Sequence, residues 1–302
     1  MRRRFGCRVQ KLAIDAHLGC PHRDAKSGIG GCTFCLGEAF SPDYCRTSAT
    51  IYKQIECAIA FHAARRRTAE RYIAYFQAGS NTNAPIEQLE QLYDEALRHP
   101  AISGLIIATR PDCIDSEKLD LLDYFSHRTY TAVEYGVESV YDTTLMRVNR
   151  GHNFAQSVEA ILTTKQRDIE VGAHFILGLP GETIEQMVYG VDCINTLDID
   201  FIKFHQLQIY RSSPIASLWH SQPELFTLNR GIATEEYIDL ICRIIRHLRS
   251  DIAIERIAST APRHLIEHSP LGGIRPDALR EMVISHMHTI GATQGDMANN
   301  TK

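Results

Sequence analysis

The sequence predicts an α/β fold built on a parallel sheet. Six apolar, β-rich runs alternate with stretches of helical apolar spacing between residues 9 and 207, and the connections are of crossover length. Glycine, proline and polar residues follow the runs, which puts the chemistry at the strands' C-terminal edge. After about residue 212 the alternation stops. A doubly wound sheet and a partial (β/α) barrel both fit this pattern.

The first strand is the alternating Val9–Asp15, and it leads into the loop Cys20 to Cys35. Ile51, Ile55, Ala58 and Ile59 have helical spacing, and Arg65-Arg66-Arg67 suits the negative end of that helix. Arg71–Gln77 is the second strand, followed by Ala78-Gly79-Ser80-Asn81-Thr82-Asn83. Pro85–Leu97 predicts a helix with Leu89, Leu92, Tyr93 and Ala96 on one face and Asn83 or Ala84 near its cap. Gly104–Thr109 predicts a buried strand ended by Arg110-Pro111, and Ser116–Phe125 a short helix. Tyr130–Val137 is the fourth strand, and Asn153 starts the next helix. Ile169–Leu179 is a strand broken by Pro180-Gly181; Thr183 and Gln186 then have capping-box spacing. Phe201–Leu207 is the sixth strand. Glu235–Leu248 predicts an amphipathic helix. A short β-like piece, a Gly/Pro loop and a helix near 277–290 complete the chain.

Composition narrows the class. At 44% apolar residues the chain can bury a substantial core. A net charge of −4 gives no global push toward nucleic acid or membrane. No apolar run has the length to span a bilayer, and Met1–Cys7 is basic without an apolar stretch behind it, unlike a secretory signal. Nine cysteines, an odd count, point to a reducing cytoplasm and not to a disulfide scaffold.

Cys20, Cys32 and Cys35 stand at C-x11-C-x2-C spacing in a glycine-rich loop, with Phe34 inside the tight pair. Three clustered thiolates favour a soft metal or an iron–sulfur cluster. A structural zinc site is closed by four ligands. A 4Fe-4S cluster held by three cysteines leaves one iron open.

With its surrounding text this loop resembles a known family. Cys20-Pro21-x-Arg23-Asp24, Gly30-Gly31-Cys32-Thr33-Phe34-Cys35, Ala74-Tyr75-Phe76-Gln77-Ala78, Thr109-Arg110-Pro111-Asp112-Cys113, Asn149-Arg150-Gly151-His152 and Gly178-Leu179-Pro180-Gly181-Glu182, in that order, resemble the YhcC/YtqA-type radical SAM proteins of the Elongator-catalytic-subunit-like branch. The likeness runs from about Val9 to Asp296. The chain departs from the pattern at His22, where Asn is expected, at Ala25, where Gly is expected, and at Gly79, where an aromatic is usual; all three cysteines are kept.

The resemblance implies a partial (β/α)6 TIM-like barrel over residues 1–212, with a C-terminal α/β extension over residues 213–302 packed on it. It implies that Cys20, Cys32 and Cys35 bind a 4Fe-4S cluster and that S-adenosyl-L-methionine chelates the fourth iron. Reductive cleavage there generates a 5′-deoxyadenosyl radical. By the same resemblance Phe34 packs near the adenine, Ile176 and Leu207 sandwich it, and His174 reaches the ribose. Glu138 and Arg150 meet the methionine and ribose, and Gln77 meets the amino group. An electron donor such as flavodoxin or ferredoxin is implied as a partner.

For the substrate, the branch points to a tRNA wobble uridine, with Arg2–Arg4, Arg65–Arg71 and Arg243–Arg249 as phosphate contacts. The alternatives are a small-molecule or peptide substrate, or a non-enzymatic cluster or metal module, which would need a fourth protein ligand. Arg110, Asp112, Glu134, His205, Tyr210 and Arg211 lie at or after strand ends, within reach of a substrate. Cys113 also follows a strand end, whereas most of the remaining cysteines read as small buried apolar residues.

Overall fold

The computed structural model describes residues 2–24, 30–48 and 50–298; residues 25–29 of the cysteine loop, and with them the departure at Ala25, lie outside that set. The strands are β1 (Val9–Ile14), β2 (Arg71–Phe76), β3 (Ile102–Thr109), β4 (Tyr130–Glu138), β5 (Glu170–Leu177), β6 (Phe201–Gln206), β7 (Ile209–Tyr210), β8 (Ala253–Arg256) and β9 (Ile266–His268). A seven-stranded sheet has the order β1-β2-β3-β4-β5-β6-β8, and β7 pairs with β9 in a small antiparallel ribbon. This is the expected partial (β/α)6 TIM-like barrel with a C-terminal α/β extension. The extension also supplies β8, which pairs parallel to β6. Among the described residues no helix is long and apolar enough to cross a membrane.

The chain forms two compact units. The first comprises Met1–Ile29, Gly37–Gly136 and Thr163–Val171. Its strands β1, β2 and β3 pair in parallel in sequence order. Seven of the eight residues of β3 are buried, as expected for a parallel strand covered on both faces. Helix Ile51–Ala64 buries Ile51, Ile55 and Ala58 at helical spacing, and Thr50 caps it by accepting from Lys53 N–H at 3.2 Å. Gln54, also buried, brackets Asp15 at the end of β1: its Oε1 accepts from Asp15 N–H (2.9 Å) and its Nε2 donates to Asp15 O (2.8 Å). Helix Ile86–Leu97 buries Leu89, Tyr93 and Ala96. Neither Asn83 nor Ala84 caps it, because Pro85 holds the N-cap and Asn83 instead donates to Leu18 O at 3.1 Å.

The second unit comprises Gly30–Leu36, Val137–Leu162 and Gly172–Lys302. Its strands β5, β6 and β8 pair in parallel. The capping box of helix Ile184–Asn195 forms as its spacing predicts, with both Thr183–Gln186 bonds present. Helix Thr234–His247 buries Tyr237, Ile238, Leu240, Ile241 and Ile244. Its C-terminal end is tied to that of helix Ile184–Asn195 through Asn195, which donates to His247 O at 2.8 Å and accepts from Arg249 N–H at 2.9 Å.

Candidate functional site

Sequence and structure agree on where polar chemistry collects: the C-terminal ends of the strands. The second unit holds the tight cysteine pair. Cys35 N–H donates to Cys32 O at 3.0 Å, closing a turn. Three bonds from distant residues fasten this turn. Asn149 Nδ2 donates to Gly31 O at 2.7 Å, Thr33 N–H to Val148 O at 2.9 Å, and Ile215 N–H to Thr33 O at 3.1 Å. Asn149 has φ 52°, a conformation Asn tolerates better than most residues.

Arg150, buried at 6% exposure, joins two predicted site residues. Its Nη1 lies 3.5 Å from Cys32 Sγ and its Nη2 lies 3.4 Å from Glu138 Oε1. Glu138 ends β4 with φ 74°, a strained conformation for a residue with a side chain. That strain marks the strand end where its carboxylate meets Arg150.

Next to the turn lies an apolar cluster of Val148, Leu179, Leu207, Ile209, Ile215, Ala216 and Phe226, with Phe34 and Ile176 packed against it. The three residues predicted to surround an adenine thus share one cluster. In the β5–β6 ladder His174 is in register with Lys203 and Ile176 with His205. The side chains of His174, Ile176, Lys203 and His205 therefore share a face, and the two imidazole centroids are 5.2 Å apart. Lys203, only 1% exposed, is 3.3 Å from Glu255 of β8. Tyr210 donates to Gln208 at 3.1 Å, and burial, with Cys35 nearby, pushes its phenol up to about 12. Arg211 is exposed.

Glu182, in the turn after β5, was not among the predicted site residues. It is buried and accepts from Ser139 Oγ at 2.5 Å. Burial pushes its carboxyl up to about 7, against the opposing influence of Ser139, Thr144 and Arg147. Asn149 was likewise legible only as part of a motif. Its place directly before Arg150 is the signal that pointed to it.

The first unit holds Cys20. Its N–H donates to Asp24 Oδ2 at 2.6 Å, and its carbonyl accepts from the N–H groups of Arg23 (3.1 Å) and Asp24 (2.8 Å). Arg23 donates to Asp24 at 2.7 Å, and this hydrogen bond holds the Asp24 carboxyl below the usual range. Ser80 N–H donates to Gly19 O at 2.9 Å, tying the turn after β2 to the residue before Cys20. Gln77 continues from β2, with its N–H bonded to Ile14 O at 3.1 Å. A hydroxyl network follows: Thr109 Oγ1 is 2.9 Å from Ser80 Oγ and 2.6 Å from Thr82 Oγ1, and Thr82 is also 2.7 Å from Cys113 O. Arg110 forks onto Asp112 with two bonds of 2.8 Å, and Lys11 meets Glu134 at 3.0 Å. Burial raises the Cys113 thiol.

Of the basic groups, Arg4 pairs with Glu170, Arg246 with Asp296 and Arg249 with Asp251, whereas Arg65, Arg66 and Arg67 are exposed. None of the nine cysteines is in a disulfide. Among the described residues no group of three His, Cys, Asp or Glu side chains is placed to hold a metal ion. The chemistry of the donor set suits a thiolate-bound cluster: three sulfurs on one loop outside any disulfide, one of them against a buried guanidinium.

Residues 18–191 match the family model of the radical SAM superfamily, and residues 199–289 that of the radical SAM C-terminal domain. The chain is 36% identical over 262 residues to protein YhcC of Escherichia coli, covering 86% of this chain and 82% of that one. It is 31% identical over 273 residues to the uncharacterized protein MJ0486 of Methanocaldococcus jannaschii, covering 89% and 81%. Among solved structures, Elp3 of the archaeon Methanocaldococcus infernus shares the fold at TM-score 0.69 and 18% identity; the likeness covers 95% of this chain and 64% of that one, just under two thirds of its length. The chain therefore belongs to the radical SAM superfamily and is an enzyme of that type.

Proposed function

We propose that Cys20, Cys32 and Cys35 hold a 4Fe-4S cluster, that S-adenosyl-L-methionine binds at the remaining iron, and that the substrate is a tRNA wobble uridine. When bound, the cluster supplies one electron for reductive cleavage of the sulfonium, and the protein binds, orients and excludes water. The observation that carries this reading is Arg150. Its guanidinium lies against a cluster cysteine on one side and Glu138 on the other. It is thus a buried fork able to take the methionine carboxylate through charge-assisted bonds beside the cluster. Phe34, Ile176 and Leu207 offer the adenine an apolar wall, while His174 and Glu138 serve the ribose and Gln77 the amino group. Residues 1–212 act as the catalytic barrel and 213–302 as its extension. The electron comes from a flavodoxin or ferredoxin in the cytoplasm.

Anaerobic reconstitution with iron and sulfide, followed by dithionite and S-adenosyl-L-methionine, is expected to yield 5′-deoxyadenosine, and Cys32→Ala to yield none. Bound zinc, or an iron centre whose spectrum ignores the sulfonium, would overturn the cofactor assignment. Modified nucleosides in tRNA from a deletion strain test the substrate; an unchanged profile rejects it.

A further inference from the structure

The first unit contains a cavity of about 630 Å³ at the C-terminal ends of β1 and β2. Ligands of parallel α/β sheets bind at this edge, and the volume falls in the range of small-molecule sites. One glycine borders it tightly. Gly79 has φ +76°, and a Cβ there would stand 2.3 Å from Gly19 O, so this position has no room for a side chain.

Two arginines line it. Arg23 enters from the turn after Cys20, and Arg46 from helix Asp43–Arg46. Arg46 reaches Ser41 O at 3.3 Å, its ion pair to the fully exposed Asp43 is stretched to 4.0 Å, and its side chain is 45% exposed. Ser41 also lines it, and its Oγ is buried and has no hydrogen-bond partner among the described residues. A buried hydroxyl left without a partner is costly, and a ligand would supply one. Asp15 and His17 are part of the same lining. Asp15 Oδ1 accepts from His17 N–H at 2.8 Å, and Gln54 clamps its backbone from both sides. The cavity therefore offers the Arg46 guanidinium, the Arg23 guanidinium that also holds Asp24 through Nε at 2.7 Å and Nη2 at 3.1 Å, a hydroxyl seeking a partner and one fixed carboxylate.

We infer that this cavity binds a nucleotide through its phosphate. Arg23 and Arg46 take the phosphate oxygens, since guanidinium forks match phosphate geometry, Ser41 Oγ donates to a third oxygen, and Asp15 accepts from a hydroxyl or amino group of the same nucleotide. The inference deepens the RNA reading and rests on it only for the source of the phosphate, which is either a free mononucleotide or the backbone of a strand.

The full-length protein is titrated calorimetrically with UMP, uridine and a uridine pentanucleotide. UMP or the pentanucleotide is expected to bind at least about tenfold more tightly than uridine, as a charge-assisted contact requires. UMP binding identifies a mononucleotide source, and binding of the pentanucleotide alone identifies strand phosphates. Arg46→Glu is expected to weaken that binding by about tenfold or more, and Arg46→Lys by less, because it keeps the charge and loses the fork. Ser41→Glu, which places a carboxylate among the phosphate ligands, gives a second route to the same loss should Arg46→Glu fold poorly. Arg280→Glu, the same charge change on the exposed face of helix Pro276–Thr289, serves as the charge control. Equal affinity for uridine and UMP overturns the inference, as does an equal loss in Arg280→Glu. A loss of S-adenosyl-L-methionine affinity in Arg46→Glu with UMP unaffected also overturns it, because the cavity would then belong to the cofactor. Failure to form 5′-deoxyadenosine bears only on the cofactor reading, because nucleotide binding is measured without turnover.

Discussion

The strand ends of the two units are made firm by different means. In the first unit they are stitched by hydroxyls: Ser80, Thr82 and Thr109 bond one another, and buried Asn81 donates to both Phe76 O and Ala108 O at 2.9 Å. In the second they are packed with hydrocarbon, from Val148 through Leu207 to Phe226. Hydrogen bonds fix direction and leave polar atoms facing whatever enters, whereas apolar contact fixes shape and excludes water. The difference suits a division of labour in which the hydroxyl-lined ends handle polar groups and the hydrocarbon-lined ends handle a flat, greasy ring.

Substitutions on each side test that contrast. The largest effect is expected from Phe226→Ala, which empties a fully buried site in the apolar cluster and should cost about 3–5 kcal/mol of stability by denaturant titration. A loss under about 1 kcal/mol would show that the cluster collapses freely and does not set shape.

Next is Glu182. Its carboxyl keeps its proton up to about 7 in the folded chain, against 4.5 ordinarily. Its contribution is therefore complete below the ordinary value and is lost as pH rises through about 7. Glu182→Gln, which stays neutral, should gain on the wild type by up to about 3 kcal/mol between pH 5 and pH 8, at about 1.4 kcal/mol per pH unit. Parallel stability curves for the two proteins would show that Ser139 and Thr144 solvate the carboxylate fully.

Arg150→Ala should raise the apparent dissociation constant for S-adenosyl-L-methionine by about ten- to a hundredfold, the worth of one charge-assisted fork, with Arg150→Lys in between. Unchanged affinity would confine Arg150 to bracing Cys32. The smallest effect is expected from Thr109→Val. It keeps the shape and removes the hydroxyl shared by Ser80 and Thr82, at a cost of about 1–2 kcal/mol. If it costs as much as Phe226→Ala, the contrast between the two units fails.

Much of this was legible in the chain, and the reasons are local. Strand ends announce themselves through polar punctuation, and the Thr183 capping box needs only residues three apart. The cysteine loop carries its own spacing. What escaped depends on residues far apart in sequence. Asn149 reaches Gly31 across 118 positions, and nothing near either residue signals it. β8 was visible only as a short β-like piece, because three of its four residues are exposed and no alternation marks its pairing with β6. The Glu182 carboxyl is raised by burial, a property of the packed molecule and not of the Gly-Leu-Pro-Gly-Glu text. Leu207 and Ile176 were placed by resemblance, and their shared cluster with Phe34 depends on tertiary packing.

The turn around Cys32 is held by Val148, Asn149 and Ile215. A chain emerging from the ribosome thus displays its sulfurs long before it can fix their geometry. On the proposed cluster reading, loading of the loop belongs after synthesis has passed residue 215.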